Sequence, residues 1–131
     1  MALKQDDVQV KGAAIECRIN AEDPANGFSP SPGRITSYQA PGGNGVRLDT
    51  HVFTNYDVPP YYDSLLAKLI TYGETRQDAI HVMQRALDEF LIEPIRTTIP
   101  LHKQIMSDPL FQRGKIFTDY IDQQLQLGEA E

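Results

Sequence analysis

The spacing of apolar residues changes once along this chain, near residue 73, from alternation to helical recurrence. Over 13–20, Ile15, Cys17 and Ile19 alternate with Glu16, Arg18 and Asn20, the pattern of a strand with one buried face. The stretch 21–33 carries Pro24, Asn26-Gly27, Pro30, Pro32 and Gly33. Proline cannot donate to a central ladder, so this stretch is expected to be a long shaped loop beside the sheet. A second strand over 34–39 leads to Pro41-Gly42-Gly43-Asn44-Gly45, where Asn44-Gly45 can supply the positive φ of a tight turn. The chain is therefore expected to return antiparallel over 46–52, with Val46, Leu48 and Val52 on one side and Arg47, Asp49 and His51 on the other. Asp57-Val58-Pro59-Pro60 stops that pattern, and the apolar run over 61–72 suits a strand or a short helix equally.

The remainder, 75–127, reads as helical. Thr75 with Asp78 three residues on resembles a capping box, with Asp in place of the longer Glu. Beyond it Ala79, Met83, Ala86, Leu87 and Phe90 recur at helical spacing, and Arg76, Gln77, Gln84, Arg85 and Asp88 take the other face. Glu93-Pro94 is expected to end this helix. Thr98 is expected to cap a second one with Pro100 in its first turn. Asp108-Pro109 and Gly114 bound a third short piece, and Thr118 starts a last helix through Leu125. No internal repeat is present. The expected fold is α+β in a single domain over 1–131, an antiparallel β-sheet in the N-terminal half packed with C-terminal helices.

Charge and cysteine content narrow the function. The chain has 12 Lys and Arg against 18 Asp and Glu, a formal net charge of −6. Non-specific nucleic-acid binding draws on many cations, so no nucleic-acid partner is expected, although one small positive pocket is compatible with this balance. The single cysteine, Cys17, excludes an internal disulfide, and no Asn-x-Ser/Thr acceptor occurs. A reducing, cytoplasmic setting fits both observations. No run approaches the roughly 18 apolar residues of a membrane helix, and residues 1–10 are polar and acidic, so neither a membrane span nor a signal peptide is expected.

Most chemical motifs are missing. There is no Gly-x-x-x-x-Gly-Lys-Ser/Thr loop, and Gly42-Gly43-Asn44-Gly45 is followed by no Lys, Ser or Thr and opens no helix, so it reads as a turn. His51, His81 and His102 lie too far apart for a metal-ligand spacing, and no metal site is expected. Met83 and Phe90 belong to the core stripe, and Asp6-Asp7 and Glu22-Asp23 read as solvated charges or caps. The arrangement with chemical content is Glu16-x-Arg18-x-Asn20. Its three side chains share one face of a strand, about 7 Å apart per two-residue step. A guanidinium held by a carboxylate is a permanently charged fork suited to carboxylate, bicarbonate or another oxyanion. The plainer alternative is a surface ion pair of small worth. Tyr61-Tyr62-Asp63-Ser64, after Pro59-Pro60, is suggestive in the same unspecific way.

Longer strings carry more. Glu16-Cys17-Arg18-Ile19-Asn20-Ala21-Glu22-Asp23 is followed in order by Pro30-Ser31-Pro32-Gly33, Ala40-Pro41-Gly42-Gly43 and Gly45-Val46-Arg47. Then come the twelve residues 59–70, from Pro59-Pro60-Tyr61-Tyr62-Asp63-Ser64 through Ala67-Lys68 to Ile70, and finally Thr97-Thr98-Ile99-Pro100. This succession, over 4–125, resembles the C-terminal domain of biotin carboxylases, foremost that of a bacterial-type acetyl-CoA carboxylase. The same domain occurs in pyruvate, propionyl-CoA and methylcrotonoyl-CoA carboxylases.

The resemblance implies a ligase that uses ATP and Mg2+ to activate bicarbonate and then carboxylates biotin on biotin carboxyl carrier protein. In acetyl-CoA carboxylase this opens fatty acid biosynthesis, and a carboxyltransferase completes it. By the same resemblance Arg18 matches the family arginine that faces bicarbonate and the ureido oxygen of biotin. Glu16, Asn20 and Asp63 support that site, and Arg47 matches a position at a homodimer interface. Asn44 stands where many members carry an aromatic residue beside that interface; an amide buries less apolar area, which puts homodimerisation in question. Ala13, in Gly12-Ala13-Ala14, stands where Gly-His-Ala is common. The ATP-grasp region, with its phosphate loop, lysine and metal-binding glutamates, lies upstream of the matched part in the family. Met1 directly precedes what would be mid-enzyme sequence, so an expressed fragment is expected. Such a fragment holds no cofactor, is inactive without its partner region and self-associates through exposed apolar surface. Two other readings are a non-catalytic docking module and a purely structural oligomerisation domain.

Overall fold

The computed structural model describes residues 8–11, 14–60 and 64–112. In chain order its strands are β1 (Val8–Lys11), β2 (Ala14–Asn20), β3 (Glu22–Asp23), β4 (Ser29–Pro30), β5 (Gly33–Arg34), β6 (Ser37–Gln39), β7 (Val46–Thr50), β8 (Asp57–Val58), β9 (Leu65–Tyr72) and β10 (Leu91–Glu93). Its helices are α1 (Arg76–Glu89), α2 (Ile99–Met106) and α3 (Pro109–Gln112). The α+β expectation holds. A four-stranded antiparallel sheet in the order β1-β2-β9-β7 is accompanied by three two-stranded ribbons, β10-β6, β3-β4 and β5-β8.

Alternation in β2 builds the sheet's two faces. Ile15, Cys17 and Ile19 are wholly buried, while Glu16 and Arg18 are half-buried on the opposite side. The run over 65–72 is strand β9, and in register with β2 and β7 its Leu69 lies between Cys17 and Leu48 on the buried face. Helix α1 closes that face, packing Ala79, Ile80, Met83, Ala86 and Leu87 inward. Thr75 caps α1 as expected, its Oγ1 accepting the Asp78 N–H at 3.1 Å. Burying Cys17 in this layer pushes its thiol pKa far up, chiefly by desolvation.

Three local expectations are corrected. The turn at 43–45 forms, with Gly43 and Gly45 at φ of 100° and 78°, but the hairpin across it does not. β7 pairs with β9, and β6 pairs with β10. Turn chemistry fixes the local reversal, whereas the partner follows from what each strand must bury. Val46 and Leu48 extend the face under α1, and Tyr38 of β6 meets Phe90 edge-on with centroids 6.3 Å apart. Second, α1 ends at Glu89, before Glu93-Pro94, because Leu91, Ile92 and Glu93 alternate exposed, buried and exposed as a strand. Third, Thr98 occupies the N-cap position of α2, with Pro100 in the first turn, but its hydroxyl makes no capping bond. The Ile99 N–H goes to Thr97 Oγ1 instead, at 3.3 Å.

The loop expected over 21–33 contains the small β3-β4 ribbon and a 3-10 turn at Pro24–Asn26, where Asp23 Oδ1 accepts the Ala25 N–H. Asp108-Pro109 opens α3, with Asp108 Oδ1 accepting from Leu110 N–H at 2.8 Å. Arg76 holds the far end of α3 by donating to the carbonyls of Phe111 and Gln112. The helix expected from Thr118 lies outside the described residues. Among the described residues the exposed large hydrophobics are Phe53, Tyr72 and Leu91, and no helix is long and apolar enough to cross a membrane.

Candidate functional site

Arg18 stands near the end of β2 on the face away from α1. Its cross-strand neighbour in β9 is Lys68, and the neighbour of Lys68 in β7 is Asp49, so one row carries two cations and a carboxylate. Directly opposed side chains in an antiparallel pair start about 5 Å apart at Cβ, and like charges there repel. Two adjacent cations on a half-covered face suit a ligand with negative charge. The next row sets Glu16 against Ile70 and Arg47.

The backbone beneath Arg18 is held from an unexpected direction. At Arg18 and Asn20 the edge of β2 facing away from β9 is engaged by the first turn of α2. Thr98 Oγ1 accepts the Asn20 N–H at 3.0 Å and donates to the Arg18 carbonyl at 3.2 Å. Thr98 N–H donates to the Asn20 carbonyl at 3.1 Å. One helical turn further, His102 Nε2 lies 2.7 Å from the same Arg18 carbonyl. A carbonyl can only accept, so Nε2 carries the proton and His102 is the Nε2–H tautomer. Both side chains are fully buried. Burial lowers the His102 pKa to about 4, against the smaller opposing effect of the Arg18 carbonyl, so the ring is neutral at physiological pH. Its Nδ1 is buried and has no hydrogen-bond partner among the described residues.

The other candidate residues are distributed around this point. Asn20 is buried, and its Nδ2 reaches Glu22 Oε1 at 3.5 Å, while Glu22 Oε2 accepts from Ser64 Oγ at 2.9 Å. The amide of Asn20 is thus tied to the Glu22–Ser64 pair at the strand's end. Asp63, with Tyr61 and Tyr62, lies outside the described residues. Arg47 is exposed on β7, its Nε donating to Asp49 Oδ1 at 3.1 Å; that bond, with Tyr72 as a further partner, raises its pKa. Asn44 sits exposed in the 43–45 turn, where its carbonyl and that of Gly42 accept from the Arg85 guanidinium. The structure therefore separates Arg47 and Asn44, on and beside β7, from Arg18 on β2, with β9 between.

An open cleft of about 820 Å³ is lined by Asp23, Pro24, Ile95, Arg96 and the first turns of α2. Glu16, Arg18 and Asn20 do not line it. No group of His, Cys, Asp or Glu among the described residues could hold a metal ion.

Sequence reasoning passed over Lys68, Thr98 in its present role, and His102. Lys68 lay inside a matched string but gained meaning only with the β2-β9 register. Thr98 and His102 are four residues apart, which places them on one helical face; nothing local shows that this face meets Arg18.

The biotin carboxylase C-terminal domain family matches residues 16–123, and the chain belongs to that family. It is 53% identical over 129 residues to the biotin carboxylase of Haemophilus influenzae, covering 98% of this chain and 29% of that protein. It is 52% identical over 119 residues to a pyruvate carboxylase subunit of Methanothermobacter thermautotrophicus, covering 91% of this chain and 24% of that protein. Among solved structures, it resembles the biotin carboxylase domain dimer of Hydrogenobacter thermophilus 2-oxoglutarate carboxylase, in complex with MgADP, ADP and bicarbonate. That match has a TM-score of 0.83 and 44% identity, and covers 94% of this chain and 27% of the other. The chain thus spans about a quarter of the length of these relatives.

Proposed function

We propose that this chain is the C-terminal part of an ATP-dependent biotin carboxylase, a ligase joining bicarbonate carbon to the ureido nitrogen of biotin on a carrier protein. Arg18 is the residue through which it enters the reaction. The carrying observation is the fixed root of that side chain: its carbonyl is gripped by Thr98 and His102, on a face where Lys68 adds a second cation. Removing the ureido proton moves negative charge onto the ureido oxygen. A guanidinium already aimed there meets more charge in the transition state than in the ground state, which is the condition for lowering the barrier. Glu16, Asn20 and Asp63 support its aim. A Lys at position 18 would keep the charge and lose the planar fork.

Nucleotide and Mg2+ belong to an ATP-grasp region outside this chain, and the chain by itself is inactive. Its partners are that region, the biotin carboxyl carrier protein and a carboxyltransferase. The reading extends to a cytoplasmic acetyl-CoA carboxylase and fatty acid biosynthesis, supported by relatives named biotin carboxylase. The pyruvate carboxylase relatives favour the second assignment, to a keto-acid carboxylase. A homodimer would use Arg47 and Asn44 on and beside the exposed β7, with Asn44 giving that contact little apolar area. The test supplies the upstream region in trans and measures carboxylation of free biotin. Activity is expected only with both parts present. Bicarbonate-dependent ADP release by the chain by itself would contradict the proposal.

A further inference from the structure

Resting on that reading of Arg18, we propose that Thr98 and His102 are positioning residues for the carboxylation step, acting through the Arg18 carbonyl to fix where its guanidinium stands. β1 pairs with β2 from Ala14 to Cys17, and none of its described residues reaches Arg18. At Arg18 and Asn20 the edge groups are taken instead by Thr98 and His102. The strand also changes register against β9 between Ile19 and Asn20, where a bulge loosens the ladder beside Arg18. The clamp therefore grips β2 where its own ladder is irregular.

The chemistry of the clamp suits a fixed position. One carbonyl accepts from a hydroxyl at 3.2 Å and an imidazole at 2.7 Å, filling both lone pairs. The two donors sit one turn apart on a single helix, so strand and helix cannot slide without breaking both. The imidazole is fully buried, its Nε2–H is engaged by the Arg18 carbonyl, and it therefore cannot exchange a proton with substrate. Its effect on reaction must pass through Arg18. A displacement of about 1 Å in a reacting group can cost about a hundredfold in rate.

The test uses the complete carboxylase and reads kcat and KM for ATP- and bicarbonate-dependent carboxylation of free biotin. His102→Leu is expected to lower kcat about 10- to 100-fold with KM for ATP unchanged. His102→Gln, which can still donate to the carbonyl, restores most of the rate. In an Arg18→Ala background, His102→Leu lowers kcat no further. A His102→Leu enzyme with wild-type kcat, or one losing the same factor with and without Arg18, overturns the clamp. If His102→Leu does not accumulate as folded enzyme, Thr98→Val, equal in shape and without the hydroxyl, is read against the same two outcomes. Wild-type kcat in Arg18→Ala by itself would instead overturn the role given to Arg18.

Discussion

Acid should weaken this fold through His102. The imidazole is fully buried, its one hydrogen bond runs to the Arg18 carbonyl, and its pKa falls from 6.5 to about 4 on folding. The sign follows from which state takes the proton. Above pH 6.5 neither folded nor unfolded chain protonates this ring, and His102 adds no pH dependence. As pH falls below 6.5 the unfolded chain gains a proton that the native ring refuses, so unfolding is favoured. The slope approaches one proton, about 1.4 kcal/mol per pH unit, and ends near the folded pKa. Integration gives a loss of about 2 kcal/mol by pH 5 and about 3 kcal/mol by pH 4. Exposed carboxylates titrate over part of this range, so the quantity to measure is a difference. Urea unfolding of wild-type and His102→Gln chains, followed by circular dichroism from about pH 7.5 to pH 4, supplies it. The wild-type curve should fall towards that of His102→Gln, or cross it, between pH 6.5 and 4. Curves that stay parallel throughout would refute a buried neutral imidazole at this position.

Two smaller expectations follow from the same layer and its turn. Gly45→Ala places a Cβ 2.8 Å from the Tyr72 carbonyl at a φ of 78°, so the chain should lose about 2 kcal/mol or more in urea unfolding, the left-handed conformation costing about half of that. Cys17, buried between sheet and α1 with its thiol pKa raised, should react with a thiol reagent only in urea, and rapid labelling of the native chain would contradict the packing.

The parts legible in the sequence were those set by nearby residues. Alternation from Ile15 to Ile19 was enough for β2, and the stripe from Ala79 to Leu87, with Thr75 before it, was enough for α1. Pairing was less accessible, because Asn44-Gly45 reports a reversal without naming the strand that follows it home. That strand, β7, meets β9 about 20 residues later in the chain, and β6 waits for β10 more than 50 residues on. The site divided in the same way. Arg18 stood out through the matched string from Glu16 to Asp23, because alternation by itself fits a surface ion pair equally well. Lys68 and His102 became neighbours of Arg18 through a cross-strand register and a helix docked some 80 residues away, and no local pattern encodes either. Thr98 shows the competition directly: a residue type that favours helix caps is drawn off to satisfy a strand edge.

The most direct measurement replaces Arg18 by Ala and by Lys in the complete carboxylase and follows ATP- and bicarbonate-dependent carboxylation of free biotin, alongside nucleotide affinity. Loss of one preorganised donor to a developing oxyanion costs about 100- to 1,000-fold in kcat. Arg18→Ala should fall by that order with nucleotide affinity intact, and Arg18→Lys should recover only part of it. Carboxylation at the wild-type rate in Arg18→Ala would contradict the account.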